Sequence, residues 1–237
     1  MKKMISAALG AALATTALVA PVAAHAGSAD GKWQVKVLGT AVLPNGKIDE
    51  IKSIDTTTTL GGALAATPGA DVKANDNVVP TLAVEYFFTP NFSAETICCF
   101  TGHHVEGDKG LAGAGRIVDH VLILPATLTL KAHMPLGPIK PYVGAGPAVF
   151  FVFGEKPGDT AKALGIDKVR MSNSLGVALQ GGVDIALGDK GFGLSLDAKK
   201  YFIKPTAKFY DTNGDLALET KHKLDPWVLS AGVSYRF

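Results

Sequence analysis

The sequence predicts an all-β fold: an eight-stranded antiparallel transmembrane β-barrel with short periplasmic turns and long extracellular loops. The chain of 237 residues begins with a stretch that has the layout of an export signal. No later run reaches the roughly 18 consecutive apolar residues that indicate a transmembrane helix. Instead, eight segments alternate apolar and polar residues with the period of two that is typical of strands. Export, the lack of a helical span and many alternating strands together indicate an outer-membrane barrel.

The N-terminal stretch, residues 1–26, predicts a cleaved signal peptide. Lys2 and Lys3 precede an apolar stretch, and small residues at Ala24 and Ala26 follow it, as at a secretory cleavage site. We expect cleavage after Ala26, which leaves one domain, residues 27–237. The whole chain has 23 basic and 21 acidic residues, so loss of the two lysines leaves a formally neutral protein. A neutral protein gives no reason to expect nucleic acid as a partner.

The predicted strands are joined by connections that alternate in length. The strands cover residues 32–43, 78–89, 92–102, 117–134, 140–153, 172–187, 191–203 and 223–237. The sequences TPN, PLGPI and GDKG give tight turns after the second, fourth and sixth strands, whereas the other connections are long. Outer-membrane barrels have this pattern, with the short turns and both termini in the periplasm. Closure of the barrel also removes the unpaired strand edges that lipid cannot satisfy.

The alternation assigns a face to each side chain. In the first strand, Trp33, Val35 and Val37 lie on one side, and Gln34 and Lys36 lie on the other. We assign the apolar face to lipid and the polar face to the lumen. A soluble β-sandwich gives the same alternation with inside and outside exchanged, and it is the alternative fold.

Charged residues on the predicted lumen face form one group. It contains four bases and four acids: Lys36, Lys131, Lys199, Arg236, Glu85, Glu95, Asp184 and Asp197. The interior of an eight-stranded barrel is just wide enough for side chains to fill. Unpaired charges would be very costly there, so we expect a paired polar plug toward the periplasmic side and no water-filled pore.

Above this plug, the lumen-facing residues nearer the outside are apolar. The predicted lining residues are Leu38, Val42, Ile97, Cys99, Val121 and Ile123. A hydrophobic pocket over a polar plug suits an apolar ligand better than an ion. The first long connection, residues 44–77, carries Leu60 and Leu64 in a stretch that could form a short helix, and we assign them to a candidate lid over the pocket.

Five stretches resemble the OmpW family of small outer-membrane proteins. They are VVPTLAVEYFFTPNFSAE (78–95), LPATLTLKAH (124–133), KPYVGAGPAVFF (140–151), SLGVALQGGVDIAL (174–187) and LDPWVLSAGVSYRF (224–237). The resemblance implies an eight-stranded barrel with a hydrophobic interior channel that ends against polar residues. It also implies uptake of small hydrophobic molecules, with lateral release into the membrane.

The sequence departs from the family pattern at the channel gate. The family resemblance implies an aromatic gate with a tryptophan at the closed end of the channel. The two tryptophans of this chain, Trp33 and Trp227, fall on the predicted lipid face. The gate is therefore not assigned to any residue of this sequence.

Catalytic and metal-binding chemistry has little support in the sequence. His103, His104 and His120 could bind a metal, but loop solvation explains them more simply, so no metal and no cofactor is expected. No serine stands in the context of an activated nucleophile, so we expect no enzyme activity. The alternatives to a channel are a structural or loop-display protein, which would bind a partner through its extracellular loops, and a lipid-modifying barrel enzyme.

The chain ends on an aromatic residue inside the last strand. Phe237 resembles the C-terminal tag by which the barrel assembly machinery recognises its substrates, and we expect it to act as an assembly signal. The expected partners are therefore outer-membrane lipid, small hydrophobic solutes and, during biogenesis, this machinery.

Overall fold

The structure is a computed structural model that describes residues 27–28 and 30–237. The expected signal peptide, residues 1–26, lies outside the described residues. Among those described, no helix is both long and apolar enough to cross a membrane.

The described chain folds into strands and two short helices. The strands are β1 (Trp33–Leu43), β2 (Lys47–Ile54), β3 (Ala70–Ala74), β4 (Asn77–Thr89), β5 (Phe92–Cys98), β6 (Thr101–Lys109), β7 (Arg116–His133), β8 (Ile139–Pro157), β9 (Ile166–Met171), β10 (Ser174–Ala186), β11 (Phe192–Phe202), β12 (Thr206–Asp211), β13 (Leu216–Lys223) and β14 (Trp227–Arg236); the helices are α1 (Thr59–Ala65) and α2 (Asp159–Ala163).

Antiparallel pairing closes the barrel. Its order is β1, β4, β5 with β6, β7, β8, β10, β11 and β14, and β14 pairs again with β1. β5 and β6 follow one another along β7 and together make the third wall strand, so the barrel wall has eight strands. The predicted eight-stranded antiparallel barrel is confirmed.

Apolar side chains cover the outside of the barrel, and charged ones lie within it. Leu175, Val78 and Val143 are 76 %, 74 % and 67 % exposed, whereas Lys36 and Glu85 are 1 % and 0 % exposed. A soluble sandwich would bury the first group and expose the second. The alternative fold is therefore excluded, and the apolar band is the surface that lipid covers.

Exposed aromatic side chains mark the two borders of this apolar band. At the short-turn end, Trp33 packs against Tyr86, with ring centroids 4.8 Å apart. On β14, Trp227 and Tyr235 lie at opposite ends of the strand. Eight residues at about 3.4 Å each separate them by roughly 27 Å, close to the height of the apolar band of outer-membrane barrels.

The long connections are more ordered than the sequence predicted. β2, β13, β12 and β9 pair in that order into a second sheet, here called the loop sheet, from three different connections. β3 of the first connection pairs with β6. His103 and His104, which the sequence placed in a loop, therefore lie in a strand.

One apolar core joins the long-loop end of the barrel to the underside of the loop sheet. Val42 and Val121 of the barrel belong to the same buried cluster as Phe209 and Leu218 of the loop sheet. The outward face of the loop sheet is mostly polar, because the half-buried positions of β12 and β13 carry Lys208, Glu219, Lys221 and Lys223.

Candidate functional site

A cavity lies inside the barrel near its long-loop end. This upper cavity holds about 50 Å³ of open space. Its walls are formed by Val42, Pro44, Ala74, Thr101, His103, Val105, Val121, Ile123, Phe150, Met171, Ile203, Leu224 and Pro226. A second cavity of about 40 Å³ shares Ala74, Val105, Met171 and Leu224 with it and reaches under the loop sheet. The two cavities lie side by side and share part of a mostly apolar wall.

Three of the six predicted lining residues, Val42, Val121 and Ile123, line the upper cavity. Leu38 and Ile97 lie deeper and pack with Ala83 in a small separate cluster. Cys99 is 5 % exposed and belongs to the large apolar core. All six side chains are buried in the interior.

The polar groups at the upper cavity are bonded to each other. The His103 Nδ1 atom lies 2.8 Å from the Asn75 carbonyl oxygen, which can only accept, so this nitrogen donates. The Nε2 atom is then an acceptor, and the Thr101 hydroxyl donates to it over 2.9 Å. These bonds leave the cavity wall without a free polar group at this position.

His222 lies at the second cavity, outside the apolar band. Its Nε2 atom is 2.7 Å from the Thr220 hydroxyl. Burial lowers its pKa to about 4, because the charged imidazolium would lose its hydration. The ring is therefore neutral at pH 7, and this wall carries no charge from it.

Below the upper cavity, toward the short turns, lies a charged network of seven residues: Lys36, Glu85, Glu95, Lys131, Asp184, Asp197 and Lys199. Lys36 is the hub for three carboxylates. Its ammonium is 2.9 Å from Glu85 and 3.1 Å from Glu95. It is also 3.2 Å from Asp184. These charges come from β1, β4, β5 and β10, so the network spans the lumen.

The other two lysines complete the pairing. Lys131 lies 2.9 Å from Glu85 and 3.0 Å from Glu95. Lys199 lies 3.0 Å from Glu95 and 2.7 Å from Asp197. Glu95 therefore contacts all three ammonium groups, and each charge of the network has an opposite charge within 3.2 Å. Buried ions in such a site need this degree of compensation.

Tyr142 was not predicted as part of this region. Its hydroxyl donates to Asp197 over 2.7 Å, and the Lys131 ammonium lies 3.6 Å from the centre of its ring. Neighbouring Gly182 makes room for it, because a Cβ there would be 2.5 Å from the Tyr142 hydroxyl oxygen. Only glycine fits at this position without moving the ring.

Neutral side chains satisfy the remaining carboxylate oxygens. Gln180 donates to Glu95 over 2.8 Å and to Asp197 over 2.6 Å. The Thr129 hydroxyl in turn donates to the Gln180 carbonyl oxygen over 2.7 Å, and Ser195 donates to Asp184 over 2.6 Å. The network is thus held by hydrogen bonds as well as by charge.

Arg236, the eighth charge of the predicted plug, lies apart from these pairs. Its guanidinium stacks 3.6 Å from the centre of the Phe87 ring, and its Nε donates to the Gly31 carbonyl over 2.6 Å. The structure therefore places Arg236 at the short-turn mouth, below the charged network.

Glu85, His133 and Asp184 place ligand-type atoms within 4.8 Å of one another. The His133 Nε2 atom is already 3.0 Å from Glu85. The Lys36 ammonium lies between the two carboxylates, at 2.9 Å and 3.2 Å. The cation between these two carboxylates is therefore the Lys36 ammonium group.

The third wall strand is interrupted beside the upper cavity. Its pairing with β7 stops at Ile97 with Thr127 and resumes at Thr101 with Ile123. Cys99 and Phe100, between β5 and β6, have no strand partner. The register places Pro80 of β4 and Pro125 of β7 at this level, and proline cannot donate a ladder hydrogen bond. We call this gap the seam.

Other predicted site residues lie elsewhere. Leu60 and Leu64 are buried on α1 and belong to the large apolar core. Neither is among the described residues that line the two cavities. Phe237 exchanges backbone hydrogen bonds of 2.9 Å and 2.8 Å with Trp33. Trp33 and Trp227 are about half exposed on the outer face, as the alternation predicted.

Known proteins share this architecture. The family model for the OmpW family matches residues 29–237. The outer-membrane protein y4mB of Sinorhizobium fredii is 34 % identical, over 97 % of this chain and 91 % of its own length. The crystal structure of OprG from Pseudomonas aeruginosa superposes with a TM-score of 0.72 at 22 % identity, covering 89 % of this chain and 98 % of OprG.

A third comparison is the solid-state NMR structure of the outer membrane protein AlkL in lipid bilayers. It superposes with a TM-score of 0.67 at 25 % identity, covering 91 % of this chain and 94 % of AlkL. These relatives are outer-membrane barrels of Gram-negative bacteria and not enzymes. The long-loop end of the barrel is therefore extracellular and the short-turn end periplasmic. The chain belongs to the OmpW family of outer-membrane β-barrel proteins.

Proposed function

We propose that this barrel takes up small apolar molecules through the upper cavity and releases them sideways into the outer membrane. The charged network acts as the plug on the periplasmic side, and the seam is the lateral exit. The observation that carries this proposal is an apolar cavity that ends above a fully paired set of buried charges.

The cavity suits an apolar solute by the chemistry of its wall. Its open space of about 50 Å³ is below the roughly 300 to 1,000 Å³ of common ligand sites, so an entering solute has to displace side chains of the apolar wall. The polar groups of Thr101 and His103 are already bonded to one another and to Asn75. A polar solute would lose its hydration there without gaining new hydrogen bonds.

The charged network argues against an axial path to the periplasm. Lys36, Glu85 and Lys131 are at most 1 % exposed. An ion on the barrel axis would have to displace paired and hydrogen-bonded charges, and an apolar solute would have to lie among them. Both are costly in a low-dielectric interior.

The seam supports lateral release because it adjoins the cavity wall. The Thr101 and Ile123 pair that lines the cavity is the first pair above the interruption. Separation of the strands at Cys99 and Phe100 breaks no ladder bonds to β7 there, so an opening costs less than elsewhere in the wall. The exposed Phe100 side chain gives this exit an apolar outer surface.

The first experiment fills the cavity. Val121→Trp should reduce uptake of a small apolar fluorophore, N-phenyl-1-naphthylamine, by intact cells that express the protein. Leu128→Trp is the matched control, because Leu128 lies on the same strand and is 52 % exposed on the lipid face. Equal uptake by both variants and the original protein, at equal expression, would refute the cavity as the path.

The second experiment locks the seam. By the register of β5 and β7, Ala126→Cys brings a thiol opposite Cys98 on the lipid face. Oxidation should lower uptake, and reduction should restore it. The control joins Ala41→Cys to Leu229→Cys across β1 and β14, in a Cys98→Ser background. If both crosslinks have the same effect, the seam has no special role.

A further inference from the structure

Basic side chains gather on the loop sheet and at the adjoining end of β11, just above the apolar band. We call this set the basic belt: Lys47, Arg170, Lys200, Lys204, Lys208, Lys221 and Lys223. Five of them lie on the paired strands β2, β13, β12 and β9, whereas Lys200 lies on the barrel strand β11 and Lys204 lies between β11 and β12. The side chains of Arg170, Lys204 and Lys208 are 60 %, 50 % and 43 % exposed.

Lys200 and Trp227 fix the height of the belt. They are directly paired across β11 and β14, and the Lys200 ammonium lies 5.1 Å from the centre of the Trp227 ring. The same ammonium donates to the Asp225 carbonyl over 2.5 Å. Trp227 is 48 % exposed on the lipid side, and exposed tryptophans of this kind sit at headgroup level. The belt therefore begins where the outer-leaflet headgroups lie.

The loop sheet sets like charges opposite one another. Lys47 is the cross-strand partner of Lys223, and Lys208 is the partner of Arg170. Like charges directly opposite in a sheet are destabilising. An anion between the members of each pair would turn this repulsion into attraction.

Carboxylates compensate the belt only in part. Asp49, Glu155, Glu219 and Asp225 lie 2.9, 3.9, 3.4 and 3.3 Å from Lys204, Arg170, Lys208 and Lys223, and Glu50 is opposite Lys221 in the register. A lysine has three donors and an arginine has five. At most one carboxylate contact for each of these cations leaves further donors at their tips, which can bind phosphate oxygens.

We propose that the basic belt binds the phosphorylated headgroup of lipid A in the outer leaflet. The site is formed by charge at the correct height beside an exposed tryptophan, and it lies outside the barrel, apart from the upper cavity. Lipid A would reach the belt laterally from the surrounding leaflet, so this binding is independent of solute uptake.

The test measures binding of bisphosphorylated lipid A to the full-length protein in a nonionic detergent by native mass spectrometry. The belt variant carries Lys47→Gln, Arg170→Gln, Lys208→Gln and Lys223→Gln. The matched control carries Lys73→Gln, Arg116→Gln, Lys156→Gln and Lys162→Gln, which are exposed extracellular residues outside the belt. We expect the belt variant to lose affinity by about tenfold or more and the control by less than about twofold.

A second variant guards against misfolding. Replacement of Lys47, Lys208 and Lys223 by Arg keeps the charges and should keep the binding. The proposal is overturned if both glutamine variants lose affinity equally. It is also overturned if the original protein binds dephosphorylated lipid A as tightly, or if soluble dextran sulfate binds the belt as tightly as lipid A does.

Discussion

The Lys131 ammonium lies 3.6 Å from the centre of the Tyr142 ring, and this contact connects two parts of the charged network. On one side, Lys131 pairs with Glu85. On the other, the Tyr142 hydroxyl donates to Asp197, which pairs with Lys199. One tyrosine therefore links both halves of the network across the lumen.

The ring and the hydroxyl of Tyr142 should contribute separately. Tyr142→Phe keeps the ring over Lys131 and removes the bond to Asp197, which should cost about 1–3 kcal/mol of unfolding free energy. Tyr142→Leu also removes the cation–π contact and should cost about 1–2 kcal/mol more. Urea unfolding in lipid vesicles measures both values. Equal losses for the two variants would show that the ring contact contributes nothing.

Removal of the hub lysine should leave Asp184 without its ammonium partner and weaken the compensation of Glu85 and Glu95. Lys36→Met should lower the unfolding free energy by about 3–5 kcal/mol, because Glu85, Glu95 and Asp184 each lose an ammonium contact. Lys73→Met, at an exposed position of β3, should change it by less than about 0.5 kcal/mol. Similar unfolding curves for the two variants would contradict the network as described.

Acid should loosen the loop sheet through His222. Its pKa is lowered from 6.5 to about 4 in the fold. Between these pH values, His222 is protonated when the sheet is open and neutral when the sheet is folded. The contribution of His222 to the stability of the loop sheet is complete above pH 6.5, and about 3 kcal/mol of it is lost as the pH falls to 4. Hydrogen exchange of β13 amides, corrected for intrinsic rates, should show this loss. His222→Gln should remove most of the pH dependence, and an unchanged profile would exclude His222 as the cause.

Phe237 combines a structural role with its predicted role as an assembly signal, and two variants distinguish them. Phe237→Ala keeps the backbone bonds to Trp33, whereas deletion of Phe237 removes them. If the ring is the signal, both variants should insert poorly in cells. Only the deletion should lower stability after refolding in vesicles without the assembly machinery. Normal insertion of Phe237→Ala would exclude the ring as a signal.

The barrel was predictable because its physical signal is strong and local. Contact with lipid requires apolar residues at every second position of a strand, and charged residues in a narrow lumen require partners of opposite charge. Trp33 and Lys36 could therefore be assigned to faces from the sequence alone. The same parity placed all seven members of the charged network inside, although it did not predict which lysine meets which carboxylate. The aromatic residue Tyr142 was missed because β8 is apolar on both faces over much of its length.

The loop sheet and the seam were not predictable in the same way. KIDEIKSI of β2 has no period of two, and its partner strand β13 comes from the opposite end of the chain. The seam depends on Pro80 and Pro125 reaching the same level on two different strands, which only the register reveals. Both features arise from long-range pairing and not from local pattern.

The loop sheet also affects the order in which this protein can assemble. β1 and β14 close the barrel within the membrane, and β2 and β13 pair again outside it. The two ends of the chain are thus paired twice, and the outer pairing can form only after the loops have crossed to the extracellular side. Contacts of such sequence separation form slowly. The pairing of β2 with β13 therefore forms late, and it must break before the barrel can open between β1 and β14.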